Sequence, residues 1–158
     1  MDAPAIRPAG PGDMPALHRA LCRLSDDLGD AHRADAAALD RACAGPAPAA
    51  YGFLAGPGPE GAALASPLFS TTRGVAGVYV SDLWVADGRR GTGLGRRLLA
   101  HVARFGAGRW GAGFLKLSVY AENADALAFY DRLGFDRADR DRTLLLGGDA
   151  FDTLMRDP

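Results

Sequence analysis

The sequence is short of lysine, glutamate and cysteine. Lys116 is the only lysine among 18 cationic residues, and Glu60 and Glu122 are the only glutamates among 19 acidic ones. The arginine and aspartate bias, with abundant alanine, reads as codon composition rather than chemistry. The formal net charge of −1 leaves no broad basic face for nucleic acid. Cys22 and Cys43 are the only cysteines and form no C-x-x-C. His18 stands four residues before Cys22 and could share its helix face. A metal site wants three or four ligands, and no third is evident beside them, so Cys22 reads as a small core residue and no metal is expected. No apolar run is long enough to span a bilayer and no secretory leader is visible, so a cytoplasmic location with reduced thiols is expected.

Two nucleotide-binding patterns are also missing. Gly91, Gly93 and Gly95 do not make G-x-G-x-x-G, because position 96 is arginine, and no acidic residue follows in clear register. There is no G-x-x-x-x-G-K-[ST] phosphate loop. What is present is one dense stretch, Asp87-Gly88-Arg89-Arg90-Gly91-Thr92-Gly93-Leu94-Gly95-Arg96-Arg97, between an apolar run ending at Trp84-Val85 and an amphipathic segment. It reads as a strand, a glycine turn and a helix start. Glycine lets a ligand approach the backbone, and a helix N-terminus adds unpaired N–H donors with partial positive charge. Together they suit a phosphate or pyrophosphate.

With 158 residues, 48% of them hydrophobic, the chain reads as one domain with a real core. Ile6-Arg7-Pro8 predicts a first strand. Asp13 then caps a helix with Met14, Leu17, Ala20, Leu21 and Leu24 at helical spacing. A second helix is expected from Asp35 to about Ala44. Strands follow at 49–55, 62–69 and 75–85. The helix after the glycine turn places Leu94, Leu98, Leu99, Val102 and Phe105 on one side and stops between Gly106 and Gly113. A fifth strand over 114–120, a helix over 123–133, one or two tail strands (the surer at Thr143–Leu146) and a short helix over 149–155 complete the expectation. Residues 78–120 form a strand–helix–strand unit with parallel strands, so the sheet should be mixed, with helices on both faces.

Three segments then align with one family: the strand Val78-Tyr79-Val80-Ser81-Asp82-Leu83-Trp84-Val85, the loop Arg90 to Gly95, and Asn123-Ala124-Asp125-Ala126-Leu127-Ala128-Phe129-Tyr130-Asp131-Arg132-Leu133-Gly134-Phe135. The last resembles the N-x-x-A-x-x-F-Y-x-x-x-G-F signature of the GCN5-related N-acetyltransferase (GNAT) superfamily, and the order and separations are those of that family. The resemblance implies an α/β fold with a mixed, mostly antiparallel sheet splayed between strands 4 and 5. It also implies an acetyl-coenzyme A-dependent N-acetyltransferase acting by direct attack in a ternary complex. In it, Arg90, Gly91, Thr92, Gly93, Leu94, Gly95 and Arg96 would hold the pyrophosphate. Leu83, Trp84 and Val85 would run beside the pantetheine arm, Asn123 would contact the cofactor, and Tyr130 would sit by the thioester sulfur. An oxyanion donor is implied at a bulge in the fourth strand, near Leu83.

The residue types suit that chemistry. A tyrosine of pKa about 10 can protonate a thiolate whose acid has pKa about 8.5, making Tyr130 the candidate acid. Asp82 in an apolar strand is a candidate base, with Glu122 and a water relay as rivals. Phe69-Ser70-Thr71-Thr72 and the 79–85 strand resemble more weakly the diamine and thialysine acetyltransferase branch. Ser81 stands where that branch carries glutamate and Glu122 where it carries tryptophan, which argues against a polyamine. Asp26, Asp27 and Asp30, with Ser81, are the candidate acceptor-binding groups for a small cationic amine. Acetylation of a protein or peptide amine, a non-catalytic acyl-coenzyme A sensor and, more distantly, a nucleotide-binding domain are the competing readings. A homodimer is open to the chain, with Trp84, Trp110 and the apolar tail as candidate surface or core. No nucleic-acid or membrane partner is expected.

Overall fold

A computed structural model describes residues 2–158, which form two compact units, the first ending at Tyr120 and the second spanning Ala121–Pro158. The first contains strands β1 (Ile6–Pro8), β2 (Tyr51–Ala55), β3 (Gly61–Ser70), β4 (Val75–Val85) and β5 (Leu115–Leu117), with helices α1 (Met14–Leu28), α2 (Ala36–Cys43) and α3 (Leu94–Trp110). The sheet order is β1-β2-β3-β4-β5; the first three pairings are antiparallel and β4 runs parallel to β5. This is the expected mixed sheet.

The strands alternate between two cores, as a period of two requires. Leu54, Ala62 and Trp84 pack with Met14, Leu17, Leu21 and Leu39 of α1 and α2. Ala55, Leu83 and Val85 pack with Leu94 and Leu98 of α3. Helices therefore cover both faces. Leu17, Phe53 and Leu98 are fully buried, each worth roughly 2 kcal/mol of transfer free energy. Trp84 belongs to the first of these clusters, whereas Trp110 packs against the rings of Tyr51 and Phe105 and donates its indole N–H to the Gly77 carbonyl at 2.9 Å.

Several helix ends were legible in local residues. Asp35 caps α2, its Oδ1 accepting from the Ala38 N–H at 2.7 Å. Asp13 behaves differently. It precedes α1 but turns its carboxylate backward, accepting from the Gly10 N–H at 2.8 Å and from Arg7 at 2.6 Å. The hydrogen bond from Arg7, then that from Gly10, lowers its pKa to about 2. α3 stops within the expected 106–113 stretch: its last residue is Trp110, and Gly111 caps it with a left-handed φ of 71°.

Gly106 is inside α3 because β4 passes too close for a side chain. A Cβ there would stand 2.3 Å from Val78 Cγ2, and Val78 is fully buried. Gly108, two residues on, has open space around the same position. Glycine-to-alanine in a helix interior ordinarily gains about 1 kcal/mol. Gly108→Ala is expected to gain about 0.5–1 kcal/mol in urea unfolding. Gly106→Ala is expected to lose about 1–3 kcal/mol through overpacking. A stabilised Gly106→Ala would contradict this packing.

The second unit holds α4 (Ala124–Leu133) and α5 (Gly148–Met155). The expected strand at Thr143–Leu146 is not formed: those residues are irregular, with Leu144 and Leu145 each 91% exposed. A triple leucine run satisfies strand propensity, but a strand exists only where an edge pairs with it, and none does among residues 121–158. The fifth strand is also shorter than its apolar pattern, pairing over Leu115–Leu117 alone.

Candidate active site

The glycine turn is built as its residues require. β4 ends at Val85, a single 3-10 turn covers Asp87–Arg89, and Gly91 and Gly93 take φ of 75° and 83°. No heavy atom lies within 4 Å of where either Cβ would be, so conformation rather than crowding demands glycine here. α3 begins at Leu94 with no side-chain cap on Gly93, and the Arg97 N–H makes the first bond, to the Gly93 carbonyl at 3.1 Å. The N–H groups of Leu94, Gly95 and Arg96 therefore project from an uncapped helix start.

Arg90 does something else. Its N–H donates to the Asp87 carbonyl at 3.2 Å. Its guanidinium donates to the Val85 carbonyl at 3.2 Å and pairs with Asp27 at 2.6 Å and Asp87 at 2.9 Å. Thr92 also turns inward, its hydroxyl donating to the Arg89 carbonyl at 2.7 Å. Arg89 pairs with Glu60. Arg90 and Thr92 thus shape the turn, and the outward donors come from the glycines and the first helical residues.

Asp27 completes this brace. The same Oδ2 that meets Arg90 accepts from the Trp84 indole N–H at 3.2 Å, so one carboxylate ties α1 to the end of β4 and to the loop. Asp30 accepts from the Tyr120 hydroxyl at 2.9 Å. Asp26 is exposed. Asp27→Ala leaves the Trp84 N–H without its partner and should cost about 1–2 kcal/mol in chemical unfolding. Asp26→Ala should stay within about 0.5 kcal/mol of the parent. Equal effects would mean the brace carries no stability. A cavity of about 400 Å³ opens beside it, lined by Arg19, Arg23, Asp27, Trp84 and Asp87.

β4 is interrupted where chemistry could use it. Leu64 faces Asp82 but Ala65 faces Val80, so Ser81 is the extra residue of a β-bulge. The bulge lies at Ser81, not beside Leu83. The Ser81 hydroxyl donates to the Leu64 carbonyl at 3.2 Å. Asp82 follows, half-buried, and its carboxylate bonds no other described residue. β5 pairs with β4 only over Val78–Val80, so from Ser81 to Val85 no strand among the described residues pairs with the β4 edge on that side. The two strands part at the bulge, which is the expected splay.

In the second unit Asn123 caps α4, its Oδ1 accepting from the Ala126 N–H at 3.1 Å. Tyr130 is half-buried between the rings of Phe129 and Phe135, at centroid distances of 5.1 and 5.3 Å. That burial pushes its phenol pKa above the usual tyrosine range. Glu122 is exposed. No helix among the described residues is long and apolar enough to cross a membrane.

Residues 24–135 match the Acetyltransferase (GNAT) family. A streptothricin acetyltransferase of Streptomyces lavendulae is 44% identical over 68 residues, which is 43% of this chain and 35% of that protein. The chain thus matches about a third of that relative's length. Among solved structures, an integron cassette protein from the mobile metagenome of V. cholerae superposes with a TM-score of 0.77 at 19% identity, over 99% of each chain. An aminoglycoside acetyltransferase from an uncultured soil metagenomic sample gives a TM-score of 0.70 at 21% identity, over 94% of this chain and 97% of that one.

Proposed function

Because the chain belongs to the GNAT acetyltransferase family, we propose that it moves the acetyl group of acetyl-coenzyme A to a primary amine of a small cationic acceptor, by direct attack in a ternary complex. Acetyl transfer is the family's activity. The observation that carries the cofactor reading is the uncapped start of α3 behind two left-handed glycines, immediately after a β4 edge that has no partner.

The residues present fit the group. The outward N–H donors of Leu94, Gly95 and Arg96, with the dipole of a 17-residue helix behind them, offer a pyrophosphate charge-assisted hydrogen bonds. The exposed Arg96 side chain adds positive charge. The backbone of Leu83 and Val85 can pair with the amide-bearing pantetheine arm as a missing strand would, with Trp84 turned into the core. Acetyl-coenzyme A, when bound, supplies an activated thioester. Backbone N–H groups around the Ser81 bulge are freed from regular pairing and can receive the developing oxyanion. Asp82 is the proposed base, directly or through water: it is half-buried and not committed to a cation. Tyr130 is the proposed acid for the departing thiolate.

For the acceptor, the curated relative named for streptothricin and the acidic α1 end both favour a small cationic amine. Asp26 is the carboxylate of that cluster open to meet it, since Asp27 and Asp30 hold other side chains. A panel of amines assayed with acetyl-coenzyme A for thiol release tests the proposal. Turnover confined to small cationic primary amines is the expected result. Tight coenzyme A binding without transfer to any amine would make the chain a sensor, and preference for a peptide N-terminus would move the acceptor to protein.

A further inference from the structure

Away from the glycine turn, the loop after α1 brings His32 to the His18–Cys22 pair that the sequence already places on one helix face. His18 and Cys22 lie one turn apart on α1, with Sγ 3.6 Å from the nearer imidazole nitrogen. His32, ten residues past Cys22, folds back so that its ring centroid is 5.2 Å from that of His18. One ligand atom from each of the three residues lies within 4.8 Å of the others.

We propose that His18, Cys22 and His32 form a binding site for a thiolate-accepting divalent ion of the Zn²⁺ type, with water in the fourth position. Geometry supports this first. Zinc bonds of about 2.3 Å to sulfur and about 2.0 Å to nitrogen, at a tetrahedral angle, separate the two ligand atoms by about 3.5 Å. The Cys22 Sγ lies 3.6 Å from one His18 ring nitrogen and 3.7 Å from the other, so a turn of the imidazole about its own bond is all that aims one lone pair at an ion shared with the sulfur. The donor set is also right: two imidazoles and a thiolate are borderline-to-soft ligands that favour zinc or cobalt over magnesium or calcium.

His32 supplies an independent sign. Its Nδ1 meets the Ser25 hydroxyl at 2.9 Å, whereas its Nε2 is buried with no hydrogen-bond partner among the described residues. A buried ring nitrogen without a partner costs stability, and a metal bond removes that cost. An Nδ1–H donating to the serine oxygen leaves the Nε2 lone pair bare, the tautomer a metal-ligating histidine needs. The cluster is half-buried rather than sealed, so an ion has access. Binding releases the Cys22 thiol proton and leaves both imidazoles neutral. The ion would pin the loop carrying Asp30 to α1, a structural role independent of acetyl transfer.

The full chain, stripped with chelator and titrated with Co²⁺, tests the site without any activity assay. One equivalent is expected to produce the visible bands of tetrahedral cobalt and a thiolate-to-cobalt charge-transfer band in the near ultraviolet. Cys22→Ser should abolish the charge-transfer band, Cys43→Ser should keep it, and His32→Gln should weaken binding at least about 10-fold. Saturating Zn²⁺ should raise the parent Tm by about 5 °C and leave that of His32→Gln unchanged. No spectral change in the parent overturns the proposal, whatever the variants do. So does a band that survives Cys22→Ser or disappears in Cys43→Ser.

Discussion

Tyr130→Phe is expected to lower kcat about 100-fold, the scale of one lost proton donor, while KM for acetyl-coenzyme A stays within about twofold. The substitution removes a hydroxyl and keeps the ring that packs between Phe129 and Phe135, so the aromatic cluster should survive. A role confined to packing would leave kcat near the parent value, and steady-state kinetics separates the two. The pH profile gives a second readout. Burial raises the phenol pKa above its ordinary value near 10, so Tyr130 keeps its proton through the neutral range. The parent kcat should therefore fall only above about pH 10, and Tyr130→Phe should lack that limb. Stability has the same sign. The fold favours the neutral phenol, so this contribution is complete below the unfolded value and is lost as pH rises through the folded one.

Gly93→Val is expected to raise KM for acetyl-coenzyme A about 30-fold. Gly93 sits at φ 83°, where a side chain with a branched β-carbon is strained by about 2 kcal/mol. There is no crowding to blame, since nothing lies within 4 Å of the Cβ position. The strain is relieved only by rotating the peptide planes that aim the first N–H groups of α3, and about 2 kcal/mol of lost binding is the 30-fold change. Titration of the variant with coenzyme A checks this directly. Unchanged affinity would show that the helix start does not hold the pyrophosphate. Gly108→Ala, on the far end of the same helix, is the control expected to bind normally.

Both predictions concern parts of the molecule that local residues announce. Gly91 and Gly93 demand left-handed backbone, a strand precedes them and an apolar helical face follows, all within about a dozen positions. Asn123 and Asp35 cap the helices they precede for equally local reasons, by accepting N–H groups three residues on. The alternation of β4 between two cores is also written in its own residues.

What the residue order could not contain is whatever depends on partners distant in the chain. Asp27 reads in the sequence as one of three acceptor-facing carboxylates, and only the fold brings Arg90, 63 residues later, and the Trp84 indole to it. The bulge falls at Ser81 because of the register against Leu64 and Ala65, and strand propensity carries no register. His32 joins His18 and Cys22 only because a loop bends back over α1. Leu144-Leu145-Leu146 has the composition of a strand and no edge within its own unit to pair with. Helix starts, turns and amphipathic faces are set by interactions spanning about four residues, so the amino-acid order sufficed for the family's outline and the glycine turn that opens α3. Ion pairs, register and side-chain clusters arise only when chain closure brings remote segments together, so those features were decided by the folded structure alone.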